Sequence, residues 1–497
     1  MTGLEKQSNI NRSAWTALII LSCLGLITMY GETMVLPAIP DFIRDFNISY
    51  NTSSWILSSY LIAGAVMTPI AGRLSDIYGK KKILLIVMAV YSTGILAGGF
   101  ANGIAFMLAA RAAQGVGMSM FPIAFGIIRE VLPEKKLAIG QTIFSSTFSG
   151  GAVVGLMVGA TIIQNFGWQA TFFSIFPIAV ILGLVIMKFI YVRNPATVEA
   201  KIEGGVGGGR KDDKNSIKSP TVDLKGTLAL ASTIISFLAG ISFLESNSTE
   251  AGFQVAGLFS VAAVSLAVFI MIEKKVSSPL LDLKLMTHKM ILPATIILMM
   301  VFLCMFMVYQ TIPILVRSPQ PLGFGGDAVV TASVQLPFMI VLLIGTIMSG
   351  FILNRVGNTR LTLLGTIISA IGFISLFLFH STEFTVSVAL TIISAGRSLS
   401  ITGGFNIVLL SAPIQATGIA LGMTLLLNLV GMSIGPSIAA MFQQMYQGTV
   451  EGVAGQFPTS DAYNLIFLTA ALISLASIAL GLALNRRKII AEQKTIT

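Results

Sequence analysis

Fourteen runs of predominantly apolar residues follow one another along the 497-residue chain, each near the roughly 20 residues that a helix needs to cross a bilayer. They predict spans near Ala14–Leu36, Ser53–Ala71, Ile83–Ala101, Ile104–Ile128, Ala138–Ile163 and Ala170–Val192, followed by Leu224–Leu244 and Gly252–Ile272. The last six are His288–Pro313, Ala328–Phe351, Leu361–His380, Phe384–Leu410, Pro413–Met441 and Tyr463–Asn485. The first run is longer than a signal-peptide core and lacks a small-residue cleavage site, so it reads as a retained helix. Between the sixth and seventh runs, Arg193–Asp223 carries Glu203-Gly-Gly-Val-Gly-Gly-Gly-Arg-Lys-Asp-Asp-Lys214. That stretch is too polar and glycine-rich to fold by burial, and it reads as a flexible linker. The expected organisation is a six-helix unit over 1–192, the linker over 193–223, two inserted helices over 224–287 and a second six-helix unit with its tail over 288–497.

Composition agrees with an all-α integral membrane protein. Hydrophobic residues make up 55% of the chain and charged residues only 10%, where soluble domains carry about 25% charged residues; mean hydropathy is +0.87. The formal charge of +10 has a topological reading rather than a nucleic-acid one. Of the 31 Lys and Arg residues, 27 fall on one side of the predicted ladder, leaving Arg44 and Arg317 on the other and Arg111 and Arg397 inside spans. By the positive-inside rule both termini are then cytoplasmic. No nucleic-acid partner is expected, since no basic run is interleaved with aromatics on a soluble domain. Trp15, Trp55 and Trp168 stand at predicted helix ends, where an indole suits the membrane interface. Cys23 and Cys304 lie in apolar runs, and His288 and His380 at run ends, so neither a disulfide framework nor a metal site is expected.

Glu32 is the one carboxylate expected inside a span. A charged group in hydrocarbon is rare and costly, and by default it marks a transport route or a binding site. Arg111 in the fourth run lies at a depth compatible with pairing, about 10 Å below the helix end against about 6 Å for Glu32 at roughly 1.5 Å per residue. The chain also repeats itself. Gly72-Arg-Leu-Ser-Asp76-Ile-Tyr-Gly79-Lys-Lys-Lys82 is echoed 278 residues later by Gly350-Phe-Ile-Leu-Asn354-Arg-Val-Gly357-Asn-Thr-Arg360, and the same offset carries Glu32-Thr33 onto Gln310-Thr311. At offset 280, Gly151 and Gly155 map onto Gly431 and Gly435. Two pseudo-symmetric six-helix bundles flanking an inserted pair follow, and parallel repeats of this kind are a transporter architecture with the site at their interface. Glu32, Gln310, Arg397, Tyr60 and Asn428 are the residues expected to line a substrate cavity, with Glu32 and Arg111 as the proton-coupling candidates.

The segment from Gly72 to Lys81, with Asp76, Gly79 and Lys80 at fixed spacing, resembles the cytoplasmic loop signature of the major facilitator superfamily. Leu108-x-x-Arg111-x-x-Gln114-Gly115-x-Gly117 is similar to the family's second motif, whose arginine the resemblance links to proton coupling. Gly151, Gly155 and Gly159 form a small-residue ridge for close helix packing. The ridge looks like the family's antiporter motif, though Leu156 replaces the expected proline and Ala160 the second glycine of the closing pair. Tyr30-Gly31-Glu32-Thr33-x4-Ala38-Ile39-Pro40, Trp55-x4-Tyr60, Gly167-Trp168-x3-Phe172, Asp223-x-x-Gly226 and Glu273-x5-Pro279-Leu-Leu-Asp282-Leu283 together resemble the fourteen-helix drug/proton antiporter branch. In that signature Gly31 takes the usual aspartate position and the acid stands one place later.

The resemblance implies secondary active transport in the cell membrane: proton-coupled efflux of amphipathic or cationic compounds by alternating access, by a monomer driven by the proton gradient without a cofactor. The expected partners are the lipid bilayer, a small-molecule substrate and protons. No Gly-x4-Gly-Lys-Ser/Thr loop supports direct ATP drive, and a lone buried acid with two scattered histidines does not make an enzyme site. Two intramembrane arginines against one acid keep transport of an organic anion or neutral metabolite as the alternative.

Overall fold

The computed structural model describes residues 12–190, 224–243, 249–276, 285, 287–413 and 417–496. The expected linker Arg193–Asp223, the segment Pro279–Leu283 and the side chain of Asp76 lie outside what is described. The first half comprises α1 (Arg12–Thr33), α2 (Ile39–Asp45), α3 (Tyr50–Tyr78), α4 (Lys80–Gly99), α5 (Ile104–Gly115), α6 (Met120–Val131), α7 (Glu134–Phe166) and α8 (Trp168–Phe189). The inserted pair is α9 (Leu224–Phe243) and α10 (Thr249–Glu273). The second half comprises α11 (Ile291–Arg317), α12 (Ala328–Val356), α13 (Asn358–Leu378), α14 (Glu383–Ser411), α15 (Thr417–Met445), a hairpin of β1 (Gln447–Val450) and β2 (Val453–Pro458), and α16 (Ser460–Ile496).

Among the described residues, thirteen helices are long and apolar enough to cross a membrane, with Lys225–Ile241 as a shorter apolar helix beside them. The expected fourth span is not continuous. It runs as α5, a 3-10 turn over Val116–Ser119 and then α6. Gly115 and Gly117 weaken the helix there, and Pro122 supplies no N–H and crowds the carbonyl four residues earlier. The hairpin was not foreseen as β structure; it turns on Glu451-Gly452, where Gly452 has φ +78.

In lipid there is no hydrophobic drive between helices, so close packing of small residues holds them together. The glycine ridge of α7 lies on α1: a Cβ added at Gly155 would stand 2.7 Å from the Tyr30 carbonyl oxygen, and one at Gly159 2.8 Å from the Met34 Cα. Thr33 Oγ1 donates to the Ala152 carbonyl at 3.1 Å in the same seam. The second half repeats this at α15 on α11, where a Cβ at Gly431 would stand 2.6 Å from the Met299 carbonyl oxygen and one at Gly435 2.9 Å from the Met307 nitrogen. The halves meet along two further seams, α3 against α15 and α7 against α12. The inserted pair leans on the first of these through α9, which packs on α3 and α15, while α10 packs chiefly on α9.

The described polar contacts between the halves cluster at the end of the bundle away from the chain termini, here the distal end. Arg317, at the end of α11, grips Asp41 of α2 with both terminal nitrogens, Nη2 at 2.8 Å from Oδ1, and Nη1 also donates to the Pro37 carbonyl at 3.1 Å. Beside it, the Tyr50 backbone N–H donates to Gln444 Oε1 at 3.1 Å and its hydroxyl donates to the Gln456 carbonyl of β2 at 3.0 Å. Deeper along the α3–α15 seam, Ser58 Oγ donates to the Ser433 carbonyl at 3.0 Å. These contacts bridge the halves across the distal end.

Two outcomes follow from this packing. Gly155→Ala is expected to cost about 1–3 kcal/mol by overpacking against backbone, whereas Gly150→Ala, whose added methyl would meet nothing within 4 Å, should not. Thermal unfolding in detergent compares them, and equal midpoints would contradict the ridge. Arg317→Gln should speed distal-side labelling of a cysteine at Ser58, in a background lacking Cys23 and Cys304, by about tenfold for a latch contributing ~1.4 kcal/mol. The exchanged pair Asp41→Arg with Arg317→Asp should slow it again; an unchanged rate in the single variant would mean that the ion pair does not hold the mouth.

Candidate functional site

Among the described residues, Glu32, Arg111 and Arg397 are charged side chains buried within spans of the two halves. Glu32 stands in the last turn of α1 and is 6% exposed; Arg111 in α5 and Arg397 in α14 are 0% and 6% exposed. The glycine ridge seats α1 on α7 directly around Glu32, since Tyr30, Thr33 and Met34 are the residues it touches. Glu32 lies within electrostatic reach of both arginines, one from each half.

The expected pairing of Glu32 with Arg111 is not formed as a hydrogen bond or ion pair. Arg111 is instead held by its own half. Nε donates to the Ile56 carbonyl at 3.2 Å, Nη1 donates to Gln114 Oε1 at 2.7 Å and to the Gly31 carbonyl at 3.3 Å, and the guanidinium carbon lies 4.5 Å from the centre of the Tyr60 ring. The physical reason is supply: Gln114, one turn along the same helix, and two facing carbonyls satisfy most of the donors at a site where hydrogen-bonding partners are scarce. Gln114 is itself fixed by donating Nε2 to the Gly94 carbonyl at 3.0 Å. Tyr60 also donates its hydroxyl to Met118 Sδ at 3.3 Å, so it braces the arginine rather than standing free.

The second half answers differently at each repeat position. Gln310, the counterpart of Glu32, donates Nε2 to Ser53 Oγ of α3 at 2.9 Å and so ties the halves together, while its Oε1 has no partner. Arg397 has the ring of Phe302 beside it at 5.1 Å and Tyr309 within electrostatic reach; its Nε and Nη1 have no hydrogen-bond partner among the described residues. Glu32 Oε2 is likewise without a partner. Asn428 of α15 is buried with both amide atoms unpartnered, and Gln335 of α12, which sequence reasoning missed, shares that condition. Buried polar atoms are ordinarily hydrogen-bonded, and a polar side chain that the sequence places in the middle of a span is the signal that could have found Gln335.

At the opposite end, the loop motif makes a tight turn between α3 and α4. Gly79 has φ +96 and Gly357, its repeat counterpart between α12 and α13, has φ +84, a conformation that favours glycine. Lys80 pairs with Glu130 at the end of α6, and Lys81 Nζ donates to the Met187 carbonyl in the last turn of α8 at 2.7 Å, where the helix dipole favours a cation. Gly72 is not sterically required, since an added Cβ would meet nothing within 4 Å. Trp168 departs from the interfacial role expected of it. It is 3% exposed and donates Nε1 to Asp45 Oδ2 at 2.9 Å, packing edge-on against Phe42, because the α2 segment folds back over it. Among the described residues no group of three or more His, Cys, Asp or Glu side chains could hold a metal ion.

This arrangement of two facing helix bundles recurs in known proteins. The chain is 25% identical over 404 residues to multidrug resistance protein 3 of Bacillus subtilis (strain 168), covering 81% of this chain and 73% of that one. It is also 25% identical over 425 residues to multidrug resistance protein Stp of Mycobacterium tuberculosis (strain CDC 1551 / Oshkosh), covering 84% and 73%. In fold it is similar to the xylose transporter XylE from E. coli in a partially occluded inward open conformation, with a TM-score of 0.60 at 13% identity over 93% of this chain and 98% of that one. The family model of the Major Facilitator Superfamily matches residues 21–436, and the chain is therefore a member of that superfamily of membrane transporters.

Proposed function

We propose that this protein is a proton-coupled exporter of amphipathic compounds, cationic ones included, and that it belongs to the fourteen-helix drug/proton antiporter branch. The observation that carries the reading is Glu32: a buried carboxylate with an oxygen that has no partner among the described residues and a guanidinium of either half within electrostatic reach. A proton and an amine can occupy such a carboxylate only in turn, so release of one accompanies binding of the other. Alternating access then follows if the occupied site opens at one end and the protonated site at the other. In the state described Asp41 and Arg317 bridge the halves at the distal end. The names of the two curated relatives support export of drugs.

In this reading Arg111, fixed within its own half, supplies a constant positive field at Glu32, and the Asp76 loop governs the opposite mouth. The protein works as a monomer in the plasma membrane with both termini cytoplasmic and uses no cofactor beyond the proton gradient. The second reading, transport of an organic anion or neutral metabolite, draws on Arg397, whose Nε and Nη1 have no partner among the described residues.

Glu32→Gln is expected to abolish pH-gradient-driven uptake into liposomes holding the purified protein, because glutamine keeps the shape of the protonated acid and cannot exchange the proton. Downhill exchange of substrate should survive. Full gradient-driven uptake by the variant would mean that the coupling group lies elsewhere.

A further inference from the structure

Among the described residues, a carboxylate of the first half and a guanidinium of the second, two groups of opposite charge, both keep buried atoms without a partner. On the first half Glu32 Oε2 has no partner. On the second half Arg397 Nε and Nη1 have none among the described residues; the face of Phe302 lies beside the guanidinium, and Tyr309 of the same half is within its electrostatic reach. Arg111 is engaged by Ile56, Gly31, Gln114 and the Tyr60 ring within its own half and keeps a single atom, Nη2, without a partner among the described residues, so it is the lesser candidate for this role. Glu32 and Arg397 sense each other electrostatically across the interface without a hydrogen bond between them.

We infer that the preferred substrate is a zwitterion whose amine meets Glu32 and whose acidic group meets Arg397. The inference rests on the exchange reading of Glu32 given above and narrows its substrate class. A simple cation would satisfy Glu32 and leave Arg397 buried without an acceptor, and an unpartnered buried charge is strongly unfavourable. A simple anion would satisfy Arg397 but leave the carboxylate oxygen of Glu32 without a donor unless a proton joined it. Proton and anion would then travel together, and exchange would be lost. A zwitterion completes both groups at once and adds no net charge to the membrane interior. Its two ends also bridge the two halves, so the ligand itself becomes part of what holds them in the occupied state. The Phe302 ring beside the guanidinium is a surface on which an aromatic body attached to the acidic group could stack.

The test is a matched set of probes on one scaffold: para-piperazinylbenzoic acid, its methyl ester, which keeps only the cation, and its N-acetyl derivative, which keeps only the anion. Binding to the purified full-length protein is measured by calorimetry without any gradient, so that it is independent of whether pH-driven flux occurs. The zwitterion is expected to bind at least about tenfold more tightly than either derivative, the scale of one lost charge-assisted hydrogen bond. Arg397→Gln should erase its advantage over the ester while keeping its advantage over the N-acetyl acid, and Glu32→Gln should do the reverse. A fold defect would weaken all three probes alike and would not produce this crossed pattern. An ester that binds as tightly as the parent acid overturns the inference in favour of a simple-cation site, and an N-acetyl acid that does so overturns it in favour of an anion site. Failure of all three to bind also overturns it. Loss of pH-driven uptake with the crossed binding pattern intact would instead count against the export reading alone.

Discussion

Placing a charged side chain in hydrocarbon costs about 2.5–3.5 kcal/mol even on the mildest insertion scale, and this protein buries Glu32, Arg111 and Arg397 within its spans. How each is accommodated decides what the bundle can do. Arg111 is accommodated within one rigid half by two backbone carbonyls, a glutamine and a tyrosine ring. Glu32 and Arg397 are less well provided for: among the described residues Glu32 Oε2 and Arg397 Nε and Nη1 have no partner, where Arg111 leaves only Nη2. Glu32 and Arg397 belong to different halves, so the cheapest way to satisfy them depends on what lies between the halves and on how the halves are set. Occupancy of the site and the position of the bundles are thereby linked through a single electrostatic constraint.

That link needs halves that move as units. The glycine ridge of α7 on α1 and its counterpart of α15 on α11 bring backbone against backbone, and this gives each half a seam that close packing chiefly maintains. Contacts between the halves are of another kind. At the distal mouth an ion pair, a glutamine and a tyrosine join them, and Gln310 reaches Ser53 deeper in. Such contacts are directional and can be replaced by water, so they can be broken and remade where the ridges cannot.

Much of this was legible in the chain itself. Apolar runs located the helices, the charge asymmetry gave an orientation to be tested, and the repeat offset anticipated that Gly79 and Gly357 would occupy equivalent turns. Glu32, Arg111 and Arg397 stood out because charges inside spans are rare. The partners of those charges were not legible, for a physical reason. Depth along a helix follows from counting residues, but the direction of a side chain depends on helix rotation and on neighbours such as Gln114 that intervene. The same holds at the mouth, where no pattern in the sequence singles out Asp41, which Arg317 clasps from the other half. The break in the fourth span was written in Gly115, Gly117 and Pro122, and the hairpin in Glu451-Gly452 between valines, but both are short-range signals that a long apolar run or a polar loop conceals.

The central claim is that substrate and proton take turns at one carboxylate, and the most direct measurement is the number of protons released when a transported amphipathic amine binds. Calorimetry in buffers of different ionisation heat counts them. The account predicts that the wild-type protein releases protons on binding and that Glu32→Gln releases none while still binding the amine. Equal release from both proteins, or no release from the wild type, would contradict it.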